Sequence, residues 1–430
     1  MATVRLAQGS VRGTQSSANA TTYYAIPYAK YNGRFASASP VAPGTVEYDA
    51  TRRGVICPQS ASRLARVTGP KPPSTDGMAE DCLLLSVAVP TSASSSAEKR
   101  PVMVFLHGGA YVTGGGQLAW YDGYQMAGEG SVTVVSVNYR LGALGYLYDE
   151  SRPLGLGTED ALLALDWVRR NIGAFGGDAA KVTLFGQSAG AYTTQLLVNA
   201  GSDLFSRAIV QSSPTSVVLT SEQAQKVRGD FETHLRDVLH TDLLGATSEQ
   251  ILEAQRAAIT NNSNLELPFA PVTAEGPLGV AKNHSAPKDI LMGWMKDDAS
   301  VFVDLKLESL GVPRLVRPPL VLAATGPATA ATFADPARRL AQKWCTEQGH
   351  RTTLYENTWR PRDAAYGAAH VSDMPLFLGD EEAWKAAPML GSEPWQTQWG
   401  PRGHTARAFW TAFATNATVG PAFDNYRIGI

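Results

Sequence analysis

Residues 185 to 191 read F-G-Q-S-A-G-A, a G-x-S-x-G pentapeptide lodged between an apolar run over 181–185 and a helix-like stretch over 189–199. A strand that turns directly into a helix leaves little room at the turn, so Gly186 and Gly190 stand where any Cβ would crowd the backbone. The turn lifts Ser188 out of the sheet. The helix behind it points its first amides toward that side chain, where an oxyanion would form. Such a turn needs a strand with a helix behind it, and it directs the chain to an α/β architecture.

Upstream, residues 101–106 read as a buried strand running into His107-Gly-Gly-Ala110, the kind of loop that supplies a second oxyanion donor. Further strands are expected over 132–137, 182–185, 208–211, 290–294 and 352–357, with helices over 159–171 and 189–199 between them. That alternation predicts a parallel or mostly parallel sheet with helices on both faces. Helical periodicity over 221–239 and 248–259 marks a cap inserted at roughly 214–288. Segments 63–77 and 91–99 are expected to be surface loops. Gly114-Gly-Gly116 and Gly155-Leu-Gly157 lack the endings of a phosphate-binding motif and are expected to be tight turns.

At 430 residues the chain is expected to be one domain with a cap, and 44% hydrophobic content allows a large core. Its 37 basic and 39 acidic side chains give no footprint for nucleic acid or an anionic membrane. No run of about 18 apolar residues suggests a membrane span, and the first residues lack the pattern of a signal peptide. Cys57, Cys82 and Cys345 fit neither a disulfide scaffold nor a zinc site, so no metal is expected. Sequons at Asn19, Asn261, Asn283 and Asn416 would matter only in a secretory pathway.

A serine hydroxyl is a weak nucleophile until a base takes its proton. Of seven histidines, His107 belongs to the glycine loop, His234, His240 and His284 precede the late strands, and His350 sits at the wrong end of a strand. His404 lies beside a helix-like stretch. His370, in the loop after the 352–357 strand, stands where the carboxyl edge of a parallel sheet presents catalytic groups. The acid that orients it should also leave a strand end, and both Asp297 and Asp298 do so. Spacing does not separate them.

With these features the chain resembles the type-B carboxylesterase/lipase family, the cholinesterase-like α/β-hydrolases, over nearly its full length. The stretches that carry the resemblance include Ile26-Pro-Tyr-Ala29, Cys57-Pro-Gln59, Glu80 to Ser86, Pro101 to Ala110, Val137 to Gly142, Trp167 to Ile172, Phe175 to Asp178 and the serine turn. Lys296 to Phe302 is similar to the family's acid motif and Gly367 to Asp373 to its histidine motif. The resemblance implies an α/β-hydrolase fold and a serine ester hydrolase working through an acyl-enzyme without a cofactor. It implies Ser188, Asp298 and His370 as the triad, Gly109, Ala110 and Ala189 as oxyanion amides, and a Cys57–Cys82 disulfide.

Several positions depart from the family pattern. Asp298 stands where glutamate is usual, Gln187 where glutamate usually precedes the serine, and Ala110 where a third glycine is usual. Residues 58–81 contain no Trp, Tyr or Phe, although the family's cation-binding tryptophan lies between the two cysteines. With these departures the resemblance implies a neutral ester of short or medium acyl chain as substrate and a reduced cap, and Tyr111, Trp120 and Tyr121 are candidate walls of an apolar pocket near the glycine loop. The alternative is an inactive binding or adhesion domain of the same fold. A secreted protein is expected if the disulfide forms, and a cytoplasmic one otherwise.

Overall fold

The computed structural model describes residues 2–72, 77–91, 99–217, 219–273, 286–417 and 426–428. The Ser-Ala tract at 92–98, the sequon Asn283, His284 and part of the expected 63–77 loop lie outside them. A ten-stranded sheet organises the chain: β1 (Thr14–Ser17), β2 (Ala20–Pro27), β3 (Leu84–Pro90), β4 (Arg100–Leu106), β5 (Thr133–Val137), β6 (Gly177–Gln187), β7 (Arg207–Gln211), β8 (Asp289–Met295), β9 (Arg351–Asn357) and β10 (Tyr426–Ile428). Their spatial order is β10-β9-β8-β7-β6-β4-β5-β3-β2-β1. The six strands β4 to β9 pair in parallel, and antiparallel strands close both edges.

Alternation along the central strands explains why both faces are covered. Val102, Val104 and Leu106 of β4 and Val182 and Leu184 of β6 enter one core with Trp167 and Trp344. Met103, Phe105 and Phe185 enter the other with Trp384 and Trp410. A strand buried on two faces is apolar at nearly every position, which is how these segments read in the sequence. Because the strands are parallel and in register, Gly186 opposite Leu106 and Gln187 opposite Gln211, their carboxyl ends open on one edge.

Two helices between β7 and β8, Ser221–Asp237 and Ser248–Asn261, begin with identical T-S-E-Q capping boxes built by Thr220 with Gln223 and Thr247 with Gln250. Their apolar faces, Phe231, Leu235 and Ala254 among them, join a third cluster with Tyr111, Ala189 and Tyr192. A second helical block between β8 and β9 was not expected from the sequence: Ser300–Ser309, Arg317–Thr329 and Asp335–Gln348. Pro318, Pro319 and Pro327 interrupt its periodicity, although proline at the start of a helix costs nothing. The expected loop at 63–77 contains a short helix, Ala65–Thr68, anchored by buried Val67. Among the described residues no helix is long and apolar enough to cross a membrane.

Two buried carboxylates differ in how they are compensated. Asp160, fully enclosed, accepts from Arg140 Nε at 2.8 Å and Nη2 at 2.7 Å, and from its backbone N–H at 3.1 Å. Arg140 also donates to the Ala36 carbonyl at 2.6 Å, which ties the β5 exit to the N-terminal segment. Asp373, three residues past His370, has a single weak donor, Gln211 Nε2 at 3.3 Å, and its Oδ1 has no partner among the described residues. Burial, with the nearby Asp298 charge, pushes its carboxyl up to about 7.

Removing one partner of a buried ion pair strands the other charge, so Asp160→Ala should lower unfolding stability by about 3–5 kcal/mol. Denaturant melts check this, and a loss well under that range would show that Arg140 is satisfied elsewhere. For Asp373 the sign is opposite. Its folded carboxyl titrates near 7 against 3.8 unfolded, so its contribution is full below the lower value and is lost as pH rises through 7. Asp373→Asn should therefore gain on the native protein, by up to ~4 kcal/mol, between about pH 4 and pH 8. Parallel stability profiles for the two proteins would refute this.

Candidate active site

Ser188 sits at φ 56° and ψ −121°, between the last residue of β6 and the first of the Ala189–Asn199 helix. Its backbone N–H donates to the Gln211 carbonyl at 2.9 Å, which pins the turn to β7. A Cβ on Gly190 would lie 2.0 Å from the Leu106 carbonyl oxygen, and one on Gly186 would lie 2.4 Å from the Gly190 backbone. The glycines of the motif are thus fixed by backbone packed on backbone, as the sequence requires.

His370 is buried beside this turn. Its Nδ1 lies 2.5 Å from Asp298 Oδ1, and Asp298 Oδ2 accepts the Met295 N–H at 2.9 Å, so the acid is fully enclosed and held at both oxygens. The adjacent Asp297 turns the other way. It forms a two-pronged pair with Arg360, 2.6 Å from Nε to Oδ2 and 2.6 Å from Nη2 to Oδ1, and accepts the Ala368 N–H at 2.9 Å. A β-bridge between Asp297 and Ala369 joins the loop that carries His370 to the segment after β8. The two aspartates that spacing left equivalent therefore differ in geometry.

With Nδ1 donating to Asp298, Nε2 is the acceptor on the ring. It lies 3.3 Å from the Gln187 amide nitrogen, and no hydrogen bond joins Ser188 and His370 among the described residues. Resting sites commonly show such loosened contacts, which tighten only with substrate bound.

The glycine loop after β4 lies against the serine: Gly109 has φ 123° and Ala110 φ 55°. These backbone turns, closed by Val112 and Thr113 N–H groups on the Gly109 carbonyl at 3.1 and 3.0 Å, leave the Gly109 and Ala110 amides without an acceptor among the described residues. The Ala189 amide opens a helix and has no acceptor within it. His107 is part of the scaffold. It stacks on Tyr139 with ring centroids 4.4 Å apart, and burial lowers its pKa to about 4, which keeps it neutral.

The aromatic residues expected to line a pocket pack elsewhere. Trp120 stacks on Trp384 at 5.2 Å, Tyr121 packs on Phe105 at 5.1 Å, and Tyr111 packs on Tyr146 at 4.6 Å while its hydroxyl meets Thr193. The rings that touch His370 are Phe302, centroid at 5.0 Å, and Phe333, at 5.4 Å, both from the helical block the sequence did not reveal. A Phe four residues after Asp298, in the first turn of the helix that follows, was the available signal for the first.

The disulfide expected between Cys57 and Cys82 is not formed. Both are buried free thiols, with the Leu141 N–H donating to Cys57 Sγ at 3.3 Å. Contact with Cys57, and then burial, push the Cys82 thiol well up, so the thiolate that disulfide chemistry needs is suppressed. Cys345 is free and exposed. Among the described residues no group of three or more His, Cys, Asp or Glu side chains could hold a metal.

The profile of the Carboxylesterase family matches residues 1–317. A relative from Rhodococcus erythropolis, described as a probable N-octanoylanthranilate hydrolase, is 35% identical over 99% of this chain and 95% of its own. The para-nitrobenzyl esterase of Bacillus subtilis (strain 168) is 31% identical over 96% of this chain and 91% of its own. A solved structure titled thermophylic PNB esterase superposes with a TM-score of 0.77 at 26% identity, over 99% of this chain and 93% of that one. The sheet and serine turn described above are thus those of an α/β-hydrolase, and the chain belongs to the carboxylesterase family.

Proposed function

We propose that the protein hydrolyses neutral carboxylic esters of short or medium acyl chain through an acyl-enzyme on Ser188. The observation that carries this reading is the buried His370 held through Nδ1 by Asp298 at 2.5 Å, beside a serine in the elbow conformation. His370 Nε2 exchanges its Gln187 contact for the Ser188 hydroxyl and takes that proton as Oγ attacks the ester carbonyl. Asp298 holds the ring in the right tautomer and balances the charge it gains. The amides of Gly109, Ala110 and Ala189 receive the oxyanion.

Collapse of the tetrahedral intermediate breaks the C–O bond to the alcohol, which leaves with the proton from Nε2. A water molecule then attacks the acyl-serine with His370 again as base. The acid departs and Ser188 is regenerated. None of these steps needs a cofactor.

The substrate reading rests on charge and surface. Gln187 places an uncharged amide beside the serine, and the Arg63 guanidinium lies 5.8 Å from the centroid of Phe302, the ring that packs on His370. A cation approaching the site meets like charge there, and Phe302 and Phe333 make the surroundings of His370 apolar. The R. erythropolis relative, named for an octanoyl compound, supports a medium acyl chain.

Ser188→Ala or His370→Ala should reduce kcat on a p-nitrophenyl ester by about 10⁴-fold or more with the fold retained, since such residues act as a unit. Labelling of Ser188 by an organophosphate separates this reading from an inactive binding domain. Asp298→Asn should be far more damaging than Asp297→Asn, and the reverse order would move the acid to Asp297.

Selectivity gives a second test. A cation over an aromatic face is worth ~2 kcal/mol when desolvated, and no such face is available in residues 58–72 and 77–81, which contain no aromatic ring. The kcat/KM for a neutral butyrate ester should therefore exceed that for butyrylcholine. A clear preference for the choline ester would overturn the substrate assignment.

A further inference from the structure

A cavity of about 880 Å³ lies away from Ser188. It opens between the Ser300–Ser309 helix, the start of the Arg317–Thr329 helix and the loop before His370, and neither Ser188 nor His370 is in its wall. Its size is that of a site for a small organic ligand.

Five cationic side chains line it against three carboxylates. Asp304 and Glu308 are engaged by Arg66 and Arg317, and Asp297 by Arg360. Lys296 and Arg314 remain, exposed and without an ion pair among the described residues. The cavity therefore carries two cations in excess, with no protein group left to neutralise them.

Part of the wall is apolar. Val321 and Leu322 line the cavity, and Leu322 is 77% exposed. Leu315, next to Arg314, is 94% exposed, and Leu320 is 45% exposed. Large apolar side chains this open to water, clustered on one short segment, mark a contact surface for a ligand.

We propose that this cleft binds an amphiphilic monocarboxylate, an anion of the fatty-acid class, with its head met by Lys296 and Arg314 and its tail laid along Val321 and Leu322. A plain inorganic anion would leave the apolar wall wet, and a neutral hydrocarbon would leave both cations uncompensated. Only a molecule with both parts matches the cleft. The acid released from a medium-chain ester belongs to this class, a link that rests on the proposed function, whereas the site itself does not.

Calorimetric titration of the whole protein with decanoate, and with decanol and acetate as molecules carrying only one of the two parts, tests the assignment. Decanoate should bind more tightly than either by about tenfold or more, since each part supplies its own share of the affinity. Lys296→Ala with Arg314→Ala should weaken decanoate by about tenfold, and Gly326→Trp should do the same by filling the cleft. Gly326 lies in the wall with nothing within 4 Å of an added Cβ, so that variant keeps the fold should the double one fail. Turnover of p-nitrophenyl acetate should be unchanged in both, which separates the cleft from the ester site.

Decanoate binding that survives both variants, binding of acetate as tight as that of decanoate, or uptake only by anionic vesicles would each overturn the proposal. Absence of ester turnover in the native protein would instead count against the proposed function, and would leave the decanoate titrations readable.

Discussion

The site depends on one backbone conformation. Ser188 at φ 56° and ψ −121° lies where an ordinary residue pays about 1–3 kcal/mol, and it stays there because its neighbours leave no alternative. Its N–H is tied to the Gln211 carbonyl, and the Gly190 backbone rests against the end of β4. The glycine loop after β4 packs on the same turn, with a Cβ on Gly108 placed 3.0 Å from Ser188 Cβ. Loosening the turn would therefore shift the serine relative to that loop as well as relax it.

The second constraint is the direction in which two consecutive aspartates point. Asp298 and Asp297 leave the end of β8 together, and the chain turn between them sends one carboxylate to His370 and the other to Arg360 and the Ala368 amide. One side chain orients the imidazole while the other holds the loop that carries it. Asp373 is buried close by, and burial with the Asp298 charge pushes its carboxyl up to about 7. The neutral Gln187 beside His370 Nε2 adds no charge.

Much of this arrangement was legible in residue order. The serine turn, the central strands and the two T-S-E-Q helices are local patterns, because a strand buried on both faces and a capped amphipathic helix each leave a periodic trace. The Arg317–Thr329 helix left none, since its prolines and exposed leucines obey neither period, and Phe333, which follows that helix and packs on His370, left no trace either. Trp120 and Tyr121 misled for the opposite reason. An aromatic residue close in sequence to a catalytic loop can as readily turn into the core, and here stacking on Trp384 and packing on Phe105 decided it.

By itself the sequence determined the α/β class, the serine turn with its glycines, and a histidine after a late strand, because each is imposed by covalent neighbours on a scale of a few residues. Spacing left Asp298 and Asp297 equal and the family resemblance chose Asp298; only the tertiary structure set Asp298 on His370 and Asp297 on Arg360, placed Gln187 against His370 Nε2, kept Cys57 and Cys82 as buried thiols, and opened a charged cleft beside Asp297. These outcomes depend on which surfaces meet across separations such as the 72 residues between Asp298 and His370. Residue order records what a segment can form, and packing decides what it faces.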